Sequence, residues 1–191
     1  MLGKLAICNV AVTRLGQTQI TSLSEDDKKA RLCLVFWDLL RDVLLQEQWW
    51  TFATKRQTLA LLTETPDSEF DYYYQIPTDC ITPRYLVDGK LINYRIEGDK
   101  LATDYDDDVE LVYTFRETDP TKFSPHFADL LAYRLALELT IPLKSDLATR
   151  DRVEQDYIMA QRKYSVIDKR RGNTSDTSKT GWANAGRGAI V

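Results

Sequence analysis

Apolar residues fall in two rhythms along this chain, and the change between them marks the predicted architecture. In residues 2–15, Leu5, Cys8, Val12 and Leu15 recur every three to four positions, the spacing of one helical face, and Gly16 supplies a stop. After a loop from Gln17 to Leu23, Ser24 offers an N-cap. Glu25, Asp26 and Asp27 then bring negative charge to the positive end of a helix. Ala30, Cys33, Leu34, Trp37, Leu40 and Leu44 repeat at helical spacing, predicting a long amphipathic helix over 25–47.

From Trp49 the rhythm shortens, and β-branched and aromatic residues alternate with polar ones as far as Arg116. The predicted strands are 51–55, 57–62, 72–76, 84–87, 91–96, 100–103 and 109–116. Hairpin turns are expected at Asp88-Gly89 and Gly98-Asp99, where positive φ comes cheaply. Pro77 and Pro83 bracket a segment expected to be irregular, because a central strand does not tolerate proline. Helical period returns at Ser124-Pro125, an N-cap followed by proline at the first helical position. Phe127, Leu130, Leu131, Leu135 and Leu139 form a stripe over 124–140, ending near Pro142. A last helix over 146–170 carries Leu147, Val153, Tyr157, Ala160, Tyr164 and Ile167 on one side and charges on the other.

This order predicts an α+β fold: an antiparallel helical bundle interrupted by an inserted antiparallel β lobe, with a disordered basic C-terminal tail. The expected divisions are a first helical half at 1–48, the β lobe at 49–118, a second helical half at 119–171 and the tail at 172–191. The tail is rich in Gly, Asn, Thr and Ser and has almost nothing to bury.

Charge sharpens this picture. Residues 163–191 carry six basic side chains against two carboxylates, a balance of +4, which leaves −8 for the rest of a chain whose net charge is −4. An acidic body with a basic end marks an interaction tail and argues against a nucleic-acid-wrapping domain. No apolar run reaches membrane-spanning length, and the first residues lack the features of a signal peptide, so a soluble intracellular protein is expected. Cys8, Cys33 and Cys80 are widely spaced and odd in number, which predicts reduced, buried thiols rather than a disulfide framework or zinc site.

Candidate chemistry is sparse. His126 is the sole histidine, placed at a helix start with no nominated nucleophile. The run Asp104-Tyr105-Asp106-Asp107-Asp108 fails the calcium-loop pattern, which needs glycine and glutamate where Val109 and Phe115 stand, and reads as a solvated turn. Phosphate-binding, zinc-protease and nucleophile-elbow motifs are missing from the sequence. No catalytic residue, metal or cofactor is expected.

The aromatics are more informative. Trp37, Trp49, Trp50, Phe52, Tyr72, Tyr73 and Tyr74 gather at the helix-to-β junction and beyond. A core role is the first reading for the tryptophan pair. For the tyrosines, core and an interface with a subunit or other partner both stand, since strand alternation would expose either Tyr73 or its two neighbours. The tail has three open readings: inert linker, nucleic-acid arm, or a segment that orders on a protein partner. Trp182 flanked by Lys179 and Arg187, with Arg170 and Arg171 upstream, suits protein docking.

Taken together, the sequence resembles the head-to-tail adaptor, or tail tubular protein A, family of short-tailed double-stranded DNA phages. The likeness lies in an ordered set of segments that spans most of the chain. They are Arg14-Leu15-Gly16, then Leu23-Ser24-Glu25-Asp26-Asp27-Lys28-Lys29-Ala30-Arg31, and Arg41-Asp42-Val43-Leu44 running into Trp49-Trp50-Thr51-Phe52-Ala53. Next come Tyr74-Gln75-Ile76-Pro77-Thr78-Asp79-Cys80 and Ile96-Glu97-Gly98-Asp99-Lys100-Leu101. Val112-Tyr113, Phe123-Ser124-Pro125-His126-Phe127 and Tyr133-Arg134-Leu135-Ala136-Leu137-Glu138-Leu139 complete the set. The last twenty residues depart from it.

The resemblance implies a structural virion protein of the phage neck, assembled in the bacterial host cytoplasm. It implies a ring of about twelve copies between the portal protein and the tail nozzle protein, around a channel through which genomic DNA passes without specific binding. It also implies that the C-terminal segment docks on the portal, and it implies no membrane partner. Two other function classes remain open: a particle-associated glycan (peptidoglycan or capsule) hydrolase and an accessory DNA-binding protein. Some members have been credited with polysaccharide hydrolysis, but no catalytic carboxylate maps onto a position here, and that activity is not carried over.

Overall fold

The computed structural model describes residues 2–87, 93–144 and 146–172. It is a mixed α and β protein, with helices α1 (Lys4–Arg14), α2 (Lys28–Glu47), α3 (Pro125–Lys144) and α4 (Leu147–Gly172). Between α2 and α3 lie strands β1 (Thr54–Thr58), β2 (Ala60–Leu61), β3 (Tyr72–Gln75), β4 (Cys80–Leu86), β5 (Tyr94–Glu97), β6 (Lys100–Thr103) and β7 (Glu110–Phe115).

Local chemistry sets the helix ends. Gly16 takes φ +69°, which lets its N–H reach Thr13 O at 2.9 Å and the Gln17 N–H reach Val12 O at 3.0 Å. That pair of bonds satisfies carbonyls that α1 would otherwise leave open. The N-cap of α2 is Asp27, whose carboxylate accepts from Lys29 N at 2.6 Å. The expected cap, Ser24, is instead spent in a local turn with Ser22, while Glu25 accepts from Thr21. α3 runs to Lys144, past the expected stop, with Pro142 inside its last turn. The Pro142 carbonyl accepts from Lys28 Nζ at 2.5 Å, which places a cation at the helix's negative end.

Helices α1, α2 and α4 all pack on α3. Their shared core holds Ile7, Val12, Trp37, Leu44, Trp50, Phe127, Leu131 and Leu135, each at most 2% exposed. An aromatic knot closes the end nearest the strands: Phe127 meets Trp50 edge-on with ring centres 5.1 Å apart, and Phe52 and Phe123 at 5.1 and 4.8 Å. The Asn9 amide brackets Ile20, donating to its carbonyl and accepting from its N–H, and so pins the α1–α2 loop on the helix.

The strands form two antiparallel sheets, ordered β1-β7-β4 and β2-β3-β6-β5. The chain crosses between sheets at Leu59, buried and donating its N–H to Val109 O at 2.8 Å. Leu59 at this crossing, with Tyr74 and Leu101 from the four-stranded sheet, packs with Leu86, Leu111 and Tyr113 from the three-stranded one. Phe115 packs on this second core and on the helical one.

The differences from the expected strands have physical reasons. Residues 51–53 form a 3-10 turn rather than a strand, with the Ala53 N–H on Trp50 O. Pro83 belongs to a strand after all, but β4 is an edge and its register shifts on either side of the proline, so no ladder N–H is missed. The Gly98-Asp99 turn joins β5 to β6 with Gly98 at φ +66°. The Asp88-Gly89 turn lies outside the described residues. Among the described residues no helix is long and apolar enough to cross a membrane.

Candidate functional site

The tyrosine triplet occupies β3, at the centre of the second sheet. Neither alternative set by simple alternation holds: Tyr73 and Tyr74 are both buried, at 8% and 2% exposed, and Tyr72 is half-buried. Each face of this sheet has its own cover. Tyr74 points into the core between the sheets and donates to the carbonyls of Tyr105 and Asp107, tethering the acidic loop. Tyr73 packs on the other face with Phe70 and Ala102, and its hydroxyl donates to Glu97. That bond pushes the phenol up to about 12. Of the residues expected to dock a partner, Arg170 and Arg171 fall within α4, while Lys179, Trp182 and Arg187 lie outside the described residues.

The polar groupings read as latches between elements. Asp79 accepts from Lys55 Nζ at 2.6 Å and from the Tyr113 hydroxyl at 3.0 Å, joining the start of β4 to β1 and β7. Burial would raise this carboxyl, but those two bonds outweigh it and hold it below the ordinary carboxylate range. Burial and the same carboxylate push the Tyr113 phenol up, so it stays a proton donor. Glu47 accepts from Arg134, Tyr157 and Gln161, tying α2 to α3 and α4. Asp129 accepts from Arg14 at 2.5 Å and from the Tyr164 hydroxyl at 2.8 Å, and His126 stacks on Tyr164 with ring centres 4.3 Å apart. Burial, helped by the neighbouring carboxylates, pushes the Tyr157 and Tyr164 phenols up to about 12. Among the described residues no group of three or more His, Cys, Asp or Glu gathers as a metal site.

The Asp79 latch carries a pH signature. A carboxyl held below its unfolded value stabilises the fold above about pH 4 and loses that contribution as pH falls through the lowered value. The urea midpoint of the protein should therefore drop on acidification. Asp79→Asn should start lower at neutral pH and drop less. An equal drop in both proteins would show that the latch does not titrate with folding.

The remaining feature is a surface. Helix α2 is apolar on two sides. Ala30, Cys33, Trp37, Leu40 and Leu44 enter the core, while Val35 and Leu39 stand 69% and 61% exposed. Leu34 is also exposed, at 42%, whereas the half-buried Leu32 and Phe36 beside the outward pair pack back against the helical core. At the end of α2 the tryptophan pair divides: Trp50 is fully buried, but Trp49 is 45% exposed and meets the exposed Tyr85 at 5.7 Å between ring centres. Arg84 lies beside Trp49 and is fixed by donating to Gln48 O and Thr114 Oγ1. Aromatic and arginine side chains held this way are the residue types that dominate protein contacts.

The periodicity reading found only the core stripe of α2. Further apolar positions at 32, 35, 36, 39 and 43 are equally visible in the sequence; Leu32 and Phe36 widen the buried face, and Val35 and Leu39 are left on the surface. Tyr85 carried no such signal, since its exposure depends on the bulge that turns β4. Compared with protein-family models and with curated proteins, the chain matches none.

Proposed function

We propose that this chain is a non-enzymatic structural subunit, a head-to-tail connector that forms a ring between the portal and the tail nozzle of a short-tailed phage. In this reading the helices form a bundle interrupted by the β lobe. The outward stripe of α2 and the Trp49–Tyr85 pair meet neighbouring subunits, and the basic tail engages the portal. The observation that carries the proposal is the order of the parts. Helices from both ends of the chain pack on α3 while the strands lie between them in sequence, the arrangement implied by the resemblance of the segments named above. The acidic balance of the body suits a channel wall along which DNA slides without tight phosphate contacts.

Electron microscopy of the protein mixed with a portal protein from the same phage tests this. Rings seated on the portal are expected. Their absence at saturating protein would remove the connector reading. Deleting 172–191 should leave a folded subunit that no longer attaches, and attachment by the truncated protein would dismiss the tail's role. Leu39→Glu should change unfolding free energy by no more than about 0.5 kcal/mol, as at other exposed sites, yet prevent ring formation. Normal rings from that variant would move the subunit contact away from α2.

A further inference from the structure

We propose that residues 62–71 form a detachable acidic strap, and that the sheet face beneath it is a binding surface for an acidic, phenylalanine-bearing segment of a partner protein. The register of the four-stranded sheet builds that face. Tyr73 stands opposite Ala102, and Ala102 opposite Arg95. Two residues along, Gln75 faces Lys100 and Lys100 faces Glu97. Side chains two apart on a strand point the same way, so these six share one surface. The strap across it holds Glu64, Asp67, Glu69 and Asp71 and no basic residue. These described residues form neither helix nor strand, and side chains do the fastening. Arg95 donates to both carboxylate oxygens of Glu69, at 2.6 and 3.2 Å, with its guanidinium 5.6 Å from the centre of the Phe70 ring. Lys100 donates to Glu64 at 2.5 Å, with its ammonium 5.1 Å from the centre of the Tyr73 ring. Phe70 is buried with Tyr73 and Ala102 in a small cluster apart from the two larger cores, and Leu62 packs against it. The strap is thus a ligand that the chain supplies to itself: a ring and two carboxylates, seated on two cations and a phenol.

Its hold is weak where it is electrostatic. The side chains of Glu64, Glu69 and Arg95 are all more than half exposed, so water and salt screen both pairs. Ser68 Oγ is enclosed without a hydrogen-bond partner, a cost that opening removes. A satellite cluster under a long connection opens at lower cost than a central core. Once open, the face offers Arg95, Lys100 and the Tyr73 ring to an outside segment of the strap's own chemistry. Glu97 lies on the same face, where its carboxylate accepts from the Tyr73 hydroxyl. A fixed negative charge there repels a run of phosphates, so the face selects a peptide over a nucleic acid. These residues are distinct from the outward residues of α2 and from the Trp49–Tyr85 pair, so the surface stands whether or not copies form a ring.

The test adds the full chain to a fluorescent synthetic peptide with the sequence of residues 62–71 and follows its anisotropy. The chain's own strap competes, so apparent affinity scales with the fraction of open face. Glu64→Lys combined with Glu69→Lys should loosen the strap and bind the peptide about tenfold more tightly than the natural chain. Glu64→Gln combined with Glu69→Gln removes the charges without reversing them. It should show a smaller gain in the same direction, and it decides the matter if the reversed pair fails to fold by circular dichroism. Raising sodium chloride from about 0.05 to 0.5 M should weaken binding to either variant severalfold. A peptide with lysine at both glutamate positions should not bind. Several results would overturn the proposal: equal affinity for the two peptides, equal affinity of natural and variant chains, or binding that ignores salt. So would no binding to a folded variant at millimolar peptide, or tighter binding of a single-stranded oligonucleotide than of the peptide.

Discussion

Replacing Trp50 with alanine should cost about 3–5 kcal/mol of unfolding free energy, the upper range for removal of a buried aromatic. The indole is fully buried and is part of the knot that joins the 3-10 turn to α3. It also does a second job. Its Nε1–H donates to Leu44 O at 2.8 Å, and Leu44 lies in the last turn of α2, where carbonyls lack a partner within the helix. Alanine therefore leaves both a cavity and an orphaned carbonyl. Trp50→Phe separates the two, keeping most of the volume but losing the bond, and should cost about 1–2 kcal/mol. Urea unfolding followed by circular dichroism measures both. A loss below about 1 kcal/mol for the alanine variant would mean that the knot repacks around the space.

The second large effect is local. Leu111 is fully buried between the two sheets, and Leu111→Ala should cost about 2–5 kcal/mol. Few side chains join this core to the helical one, Phe115 chief among them. Native-state hydrogen exchange should then show amides of β3, β6 and β7 losing protection while those of α1 and α3 keep theirs. Uniform loss across the chain would show the two cores opening as one unit.

What was legible in the sequence was whatever a single element decides for itself. The core stripe of α2 follows from spacing except at Leu34, which was placed in it but stands 42% exposed; the stop at Gly16 follows because the left-handed turn there is a property of three or four residues. Choices between near-equivalent neighbours were not legible. Ser24 and Asp27 are both good caps, and the winner was set by the Ser22 and Thr21 contacts that occupy Ser24 and Glu25. Pairings between distant segments were also hidden. Tyr73 and Tyr74 are both buried because the β1-β7-β4 sheet covers one face of β3 and the Phe70 segment covers the other, which no alternation pattern can express. The candidate contact surface fell between these cases: the outward stripe of α2 was written in its spacing, whereas Trp49 became exposed and Trp50 buried only through the turn that follows them.

The broken register of β4 has a consequence for life at high concentration. A sheet ends wherever its last strand leaves N–H and C=O groups free, and a regular rim invites another copy to continue it. Here that rim carries a proline and bends at two places, so its free groups do not line up in a row. At the opposite rim, β1 sets Lys55 and Arg56 side by side. Copies crowded together can therefore meet at this three-stranded sheet through side chains without extending it into an endless ribbon.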